Sequence, residues 1–244
     1  MPIRAVLDAL FDLLLGARCP GCQRPGLGLC AACRGSLGVA ARPMRDAPAL
    51  GPHLAGRVYC AGGYAGPLRA MLTAHKDRGA WSLTGVLAGQ LELAIAALLA
   101  TTGLGEARGA GCEVAVVPVP SSRRAVRERG FDHGRALARS AVRQHRARGR
   151  AGPRLVAVTA LTRAHQVADQ SGLGRSQRIT NQRGSMRARG PRGTRLAVLC
   201  DDICTTGASL REAERALREA GWTVLGAAVV AHPQRNFTEP LKCR

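Results

Sequence analysis

The stretch that most limits the possible folds is a five-residue apolar run, residues 196–200, that ends in two acids, Asp201 and Asp202. Cys204, Thr205, Thr206, Gly207, Ala208 and Ser209 follow almost at once. An apolar run without alternation is what a parallel strand covered on both faces requires. Beyond it, Leu210, Ala213 and Leu217 recur at helical spacing and predict a helix over residues 208–220, ended by Gly221. Ligands of open α/β sheets bind outside the carboxyl ends of strands. A helix start adds unpaired N–H groups and a positive dipole end, which suit a phosphate. Gly207 lets the backbone approach closely, and Thr205, Thr206 and Ser209 supply hydroxyls. Two carboxylates beside such a cradle can accept hydrogen bonds from vicinal hydroxyls, so a sugar phosphate fits better than a bare phosphate. An acid turn capping an ordinary helix is the plainer reading, but a cap needs one acid or hydroxyl rather than the whole run.

The rest of the chain supplies partners for that strand. Residues 59–64, 114–117, 155–158 and 223–230 read as strands, the second ended by Pro118. Residues 81–100 form a proline-free, Leu- and Ala-rich helix, and residues 131–148 a second, with Leu137, Ala138, Ala141 and Val142 inward. Alternating strands and helices predict a doubly wound α/β fold with a mostly parallel sheet from about residue 58. Three parts are expected: residues 1–40, residues 41–110 with a proline-rich connector (Pro43, Pro48, Pro52) and the long helix, and the α/β domain over residues 111–244. In residues 1–17, Leu7, Leu10, Phe11 and Leu14 share one helical face, and Asp8 and Asp12 interrupt what an export signal would keep apolar. An amphipathic helix, a cytoplasmic location and no membrane span are therefore expected; no apolar run approaches ~20 residues.

Cys19-Pro-Gly-Cys22 and Cys30-Ala-Ala-Cys33 are two C-x-x-C knuckles seven residues apart. Four thiolates at this spacing can converge on one structural Zn²⁺. Pro20, Gly21 and Gly28 allow the tight loops involved. An iron–sulfur or redox role is the competing chemistry, and a thioredoxin-like reading fails because no βαβ context flanks either pair. Metal binding would fold a piece of ~20 residues that is too small to fold alone.

Further motifs carry a resemblance. Residues 116–124 hold the Pro118-Val119-Pro120-Ser121 turn followed by Arg123 and Arg124; Arg129-Gly130-Phe131 and Ala136-Leu137-Ala138 come next. Arg163, Gln170, Arg178 and Asn181 are spaced polar residues, and Tyr64, Gly66, Pro67 and the His75-Lys76-Asp77-Arg78-Gly79 segment lie upstream. Together with the acid pair and the cysteine knuckles, this pattern resembles the ComF/GntX family of type I phosphoribosyltransferase-like proteins across nearly the whole chain. Two departures stand out: Asp132 where an Asn is usual, which could alter a polar contact in a mobile loop, and Met186 where an aromatic is common, read as core tolerance.

The resemblance implies binding of phosphoribosyl diphosphate (PRPP) with Mg²⁺ and either transfer of its phosphoribosyl group to an unidentified acceptor or, as the alternative, a non-catalytic ribose-phosphate-sensing or nucleic-acid-binding competence factor. Asp201 and Asp202 would take the ribose hydroxyls. Residues 204–209 would take the 5′-phosphate. Pro118, Val119, Pro120, Ser121, Arg123 and Arg124 would form the diphosphate loop, with Lys76 as a further contact. A variable hood, residues 41–80, would choose the acceptor. His75 and His133 are candidate proton shuttles, although exposed histidines of no special role are the commoner case. Cys200 reads as a buried strand residue, Cys204 as the more accessible thiol. Association with DNA uptake, and so with DNA or competence proteins as partners, is implied by the same resemblance.

Charge adds little. The chain carries a net +20, and 19 arginines against three acids fall in residues 123–195. Such a concentration could track a phosphate backbone. However, 34 of the 36 basic residues are Arg, a bias spread over the whole chain, and Phe131 is the only aromatic in the basic stretch, so no stacking platform for single strands is evident there. With 46% hydrophobic and 21% charged residues the composition is that of a folded globular chain.

Overall fold

A computed structural model describes residues 18–44, 47–104, 112–164 and 184–233, the side chain of Arg123 excepted. The expected N-terminal helix and Gln170, Arg178 and Asn181 lie outside the described residues. The architecture is α/β: six strands form one sheet in the order β1-β2-β8-β7-β3-β4. These strands are β1 (Arg42–Pro43), β2 (Val58–Gly63), β3 (Glu113–Pro118), β4 (Arg154–Ala157), β7 (Leu196–Ile203) and β8 (Thr223–His232). Every pairing is parallel except β1 with β2. A separate antiparallel ribbon joins β5 (Leu161–Arg163) to β6 (Met186–Ala188).

The central strands are buried nearly throughout because both faces are covered, which is why they read as unbroken apolar runs. Val114, Val116, Val198 and Cys200 point to one side of the sheet, Ala115, Val117, Ala197 and Leu199 to the other. The first side packs on α2 (Gly66–Asp77), α3 (Thr84–Ala100) and α5 (His133–Ala147). The second packs on α6 (Ala208–Glu219) and the β5–β6 ribbon. Outside the sheet stand α1 (Ala31–Gly35), in the cysteine module, and the short α4 (Arg123–Arg129).

Several details depart from the sequence reading. The apolar run at residues 196–200 does not end the strand: β7 continues through Asp201 and Asp202 to Ile203. The helix expected from residue 131 is two helices. Ser122 Oγ accepts the Ala125 N–H (3.1 Å) to start α4, and Gly130, at φ 65°, stops it. Asp132 Oδ1 then accepts the Arg135 N–H (3.2 Å) and starts α5. Asp132 is thus a helix cap rather than a loop contact, and Asn would serve as well there. Met186 is buried in the core, as its reading held. The segment Trp81–Ala100, one short helical turn plus α3, is after all long and apolar enough to cross a membrane by length and composition. It is 61% buried inside the structure and packs against both the sheet and the neighbouring α5.

β3 leads through α4 and α5 to β4 on one side, and β7 leads through α6 to β8 on the other. The chain therefore turns opposite ways from two adjacent strands, which opens a crevice at their carboxyl ends.

Candidate functional site

That crevice is a cleft of about 450 Å³. Its walls come from the turn after β3 (Val119, Pro120, Ser121), the end of β7 (Asp201, Asp202), and Thr205 and Ser209 at the start of α6. Lys76 from α2, Arg129 from α4 and Arg163 from β5 supply its cations.

The two acids are not equivalent. Asp202 is 4% exposed. Its Oδ1 accepts the Ile203 N–H (2.8 Å), and its Oδ2 lies 3.4 Å from Lys76 Nζ and 3.3 Å from His133 Nε2. Burial alone would raise its carboxyl, but contact with His133 and the charge of Lys76 outweigh that and hold it well below the usual carboxylate range. Asp202 stays ionised. Even so, Oδ2 completes no aligned hydrogen bond and is sealed from water; it is an acceptor with spare capacity. Asp201 is half-buried, and its Oδ1 accepts the Asp202 N–H (2.9 Å). Confinement in the cleft and the neighbouring Asp202 charge push its carboxyl upward.

His133 organises this corner. Arg129 Nη1 stands 3.4 Å from His133 Nδ1. A guanidinium can only donate, so Nδ1 is the acceptor and the ring proton sits on Nε2, facing Asp202. Ser121 Oγ is 3.4 Å from the same Nδ1. His133 and His75 are buried, at 5% and 1% exposure, which corrects the expectation of exposed histidines. Desolvation, helped by the nearby His133, lowers His75 to about 4. Its Nε2 meets Thr84 Oγ1 at 2.9 Å, and its ring sits edge-on to Phe131, 5.5 Å between centroids.

The turn before α6 is built to approach a ligand. Gly207 has φ 86°, and a Cβ there would lie 2.7 Å from the Leu50 side chain, so only glycine is accommodated. The connector straps this turn from outside, with the Ala49 N–H donating to Thr206 O (2.9 Å). α4 and α5 are capped by the side chains of their own N-cap residues; α6 starts from Gly207, which has none, and its Ala208 N–H turns instead to Thr206 Oγ1 at 3.4 Å, with Thr205 and Ser209 of the same turn at the cleft.

Most expected residues converge here, with exceptions. Lys76, Val119, Pro120, Ser121, Asp201, Asp202, Thr205 and Ser209 line the cleft. Pro118 is buried at the strand end, and Thr206, Gly207 and Ala208 shape the turn behind. Arg124 does not line the cleft: its Nε meets Glu128 Oε1 at 2.7 Å on the exposed face of α4. Cys204 is not the accessible thiol; it is buried, and burial pushes it up to about 12. Cys200 is buried as expected. His133, a candidate proton shuttle from sequence, lines the cleft; Arg129 and the phenol-bearing Tyr64 line it as well, with no site role expected of them from sequence. The i, i+4 spacing of Arg124 and Glu128 between Ser122 and Gly130 signals a short helix, whose far side presents Arg129. Trp81, 57% exposed, stacks at 5.5 Å on Phe131, so an aromatic pair does exist beside the basic stretch.

In the N-terminal module, the ligand atoms of Cys19, Cys22, Cys30 and Cys33 all lie within 4.8 Å of one another. Cys22 and Cys30 Sγ are 3.7 Å apart, matching the edge of a tetrahedron with Zn–S arms of about 2.3 Å. A Cβ at Gly21 would sit 2.8 Å from Cys33 Sγ, so the first knuckle needs glycine to close. Burial opposes charge at Cys19, but the N–H groups of Cys30, Cys22 and Gly21 overcome it and bring the thiol to about 6, a ready thiolate. The four cysteines form a cluster able to hold a structural zinc ion.

No protein-family model matches the chain, and a search of the curated proteins finds no match.

Proposed function

We propose that the chain is a ComF-type, type I phosphoribosyltransferase-like protein that binds Mg-PRPP in this cleft and transfers the phosphoribosyl group to an acceptor. The observation that carries the reading is the pairing of two unlike carboxylates at the end of β7 with a glycine-led helix start in one cleft. Vicinal ribose hydroxyls would donate to Asp201 and to Asp202, whose Oδ2 would exchange its loose contacts with Lys76 and His133 for a hydroxyl, and the α6 turn would hold the 5′-phosphate. Transfer breaks the C1′–O bond to diphosphate, which leaves with the electron pair, while the acceptor's lone pair forms the new bond at C1′. Lys76, Arg129 and Arg163 would meet the charge that grows on the leaving group, and their placement before the reaction is the main source of rate. The carboxylates of Asp201 and Asp202 are hard oxygen donors suited to Mg²⁺. When bound, that ion would neutralise diphosphate charge.

A second reading, a nucleic-acid-binding protein that uses the fold as scaffold, is favoured by the exposed Trp81 beside Phe131. Titration calorimetry with Mg-PRPP and with short DNAs, on the wild type and on the Asp201→Asn/Asp202→Asn double variant, separates the two. The first reading expects PRPP heat that the double variant loses. DNA binding that survives the double change, with no PRPP heat in the wild type, would replace it with the second.

A further inference from the structure

Behind the turn after β3 lies another cavity, about 370 Å³ in volume. It shares Val119, Pro120, Ser121 and Arg163 with the cleft and is closed on its far side by α4, the start of α5 and the β4–β5 connection. Val126 and Leu161 give it an apolar floor, and Thr159 and Thr162 add hydroxyls. Three guanidinium groups border it: Arg127, Arg135 and Arg163. Its one acid, Asp132, already serves α5 by accepting the Arg135 N–H. Among the described residues, neither Arg127 nor Arg135 forms an ion pair with an acid. Arg135 Nε is moreover buried without any hydrogen-bond partner. Arg135 as a whole is half-buried and lines the cavity, and an anion there would meet a guanidinium that no carboxylate among the described residues neutralises.

We infer that this cavity is a second binding site, for a small organic anion with an apolar body, such as a phosphate ester or carboxylate carried on a ring. The anionic end meets Arg135 and Arg127, and the ring rests on Val126 and Leu161. Because the two cavities share the residue 119–121 turn, an occupant of one touches the wall of the other.

Phenyl phosphate is the probe, titrated calorimetrically into the full chain with saturating ribose 5-phosphate present to fill the cleft. One site is expected, with affinity roughly tenfold above that of inorganic phosphate because the ring buries apolar surface. Arg135→Gln should lower the affinity at least ~10-fold and Arg127→Ala several-fold, since each removes a charge-assisted contact. Thermal melts identify a variant that fails to fold; if Arg135→Gln does, Arg127→Ala decides. Absence of phenyl phosphate heat, or insensitivity to the arginine changes, would each overturn the site. A separate titration of ribose 5-phosphate alone reports on the cleft, so failure of the phosphoribosyl reading is recognised independently.

Discussion

Two buried carboxylates in this protein are ringed by basic groups, and they are used differently. Glu92, midway along α3, is 0% exposed. His145 Nδ1 (3.0 Å), Arg150 Nε (2.8 Å) and Arg148 Nη1 converge on its two oxygens. Burial alone would raise its carboxyl, but these contacts more than offset that and lower it. Asp202, at the end of β7, is nearly as buried and is also held ionised by a histidine and a cation. The difference is in what is left over. Both oxygens of Glu92 are engaged by donors from α5 and the residues just after it, so the charge is consumed in clamping two helices together. Asp202 Oδ2 is sealed from water and faces Lys76 and His133 at 3.3–3.4 Å without an aligned hydrogen bond among the described residues, and both of those neighbours line the cleft, where a ligand can displace them. A buried charge with filled valences is structural; one with a vacant valence in a cleft is available to a ligand.

That contrast can be broken by substitution. Glu92→Gln leaves His145 and two arginines facing a neutral amide and should cost about 3–5 kcal/mol, as removal of one partner from a buried charge pair does. Differential scanning calorimetry should show a fall in Tm of roughly 10 °C, while PRPP affinity stays at the wild-type value. A parallel loss of affinity would erase the distinction between the two carboxylates.

The histidine beside the cleft gives the next largest effect. His75 titrates at about 4 in the folded chain against roughly 6.5 unfolded. The unfolded chain therefore takes up this proton first as pH falls. The associated stability is fully present above about pH 6.5 and is lost progressively toward pH 4, to a total of roughly 3 kcal/mol. Denaturant titrations across that window should show a shallower decline for His75→Gln than for the wild type. Equal slopes would mean that His75 is not held neutral.

A smaller change is expected at Lys76, which is about one-third exposed. Lys76→Met should shift stability by ~1 kcal/mol or less yet weaken PRPP binding at least ~10-fold, since it removes a cation from the cleft wall. The smallest effect belongs to Arg124. Its exposed pair with Glu128 faces away from the cleft, so Arg124→Ala should alter both stability and affinity by less than ~0.5 kcal/mol. A large affinity loss would return Arg124 to the diphosphate loop.

The parts of this picture that sequence made legible are those written locally. The apolar run of β7, the acids that follow it and the glycine-led start of α6 are consecutive, and their periodicities are unambiguous. The cysteine knuckles are likewise set by spacing alone. What was missed depends on distant contacts. The β5–β6 ribbon joins residues 161–163 to residues 186–188, a separation that no short window captures. α2, which delivers Lys76 and His75, begins with Gly66 and Pro67, and no element is expected there from sequence because its helical face is decided by packing on the sheet. Whether a histidine is buried is decided by what packs over it: Phe131 over His75, Arg129 over His133. The exposed Trp81 and Phe131 lie fifty residues apart in sequence, so their stacking was invisible there.

The most direct test of the proposed ribose-phosphate cleft is calorimetric titration of Mg-PRPP into the wild type and into Asp201→Asn/Asp202→Asn, with melts confirming that both are folded. The account predicts one PRPP per wild-type chain and no detectable heat in the double variant. Equal binding to the two proteins would contradict it.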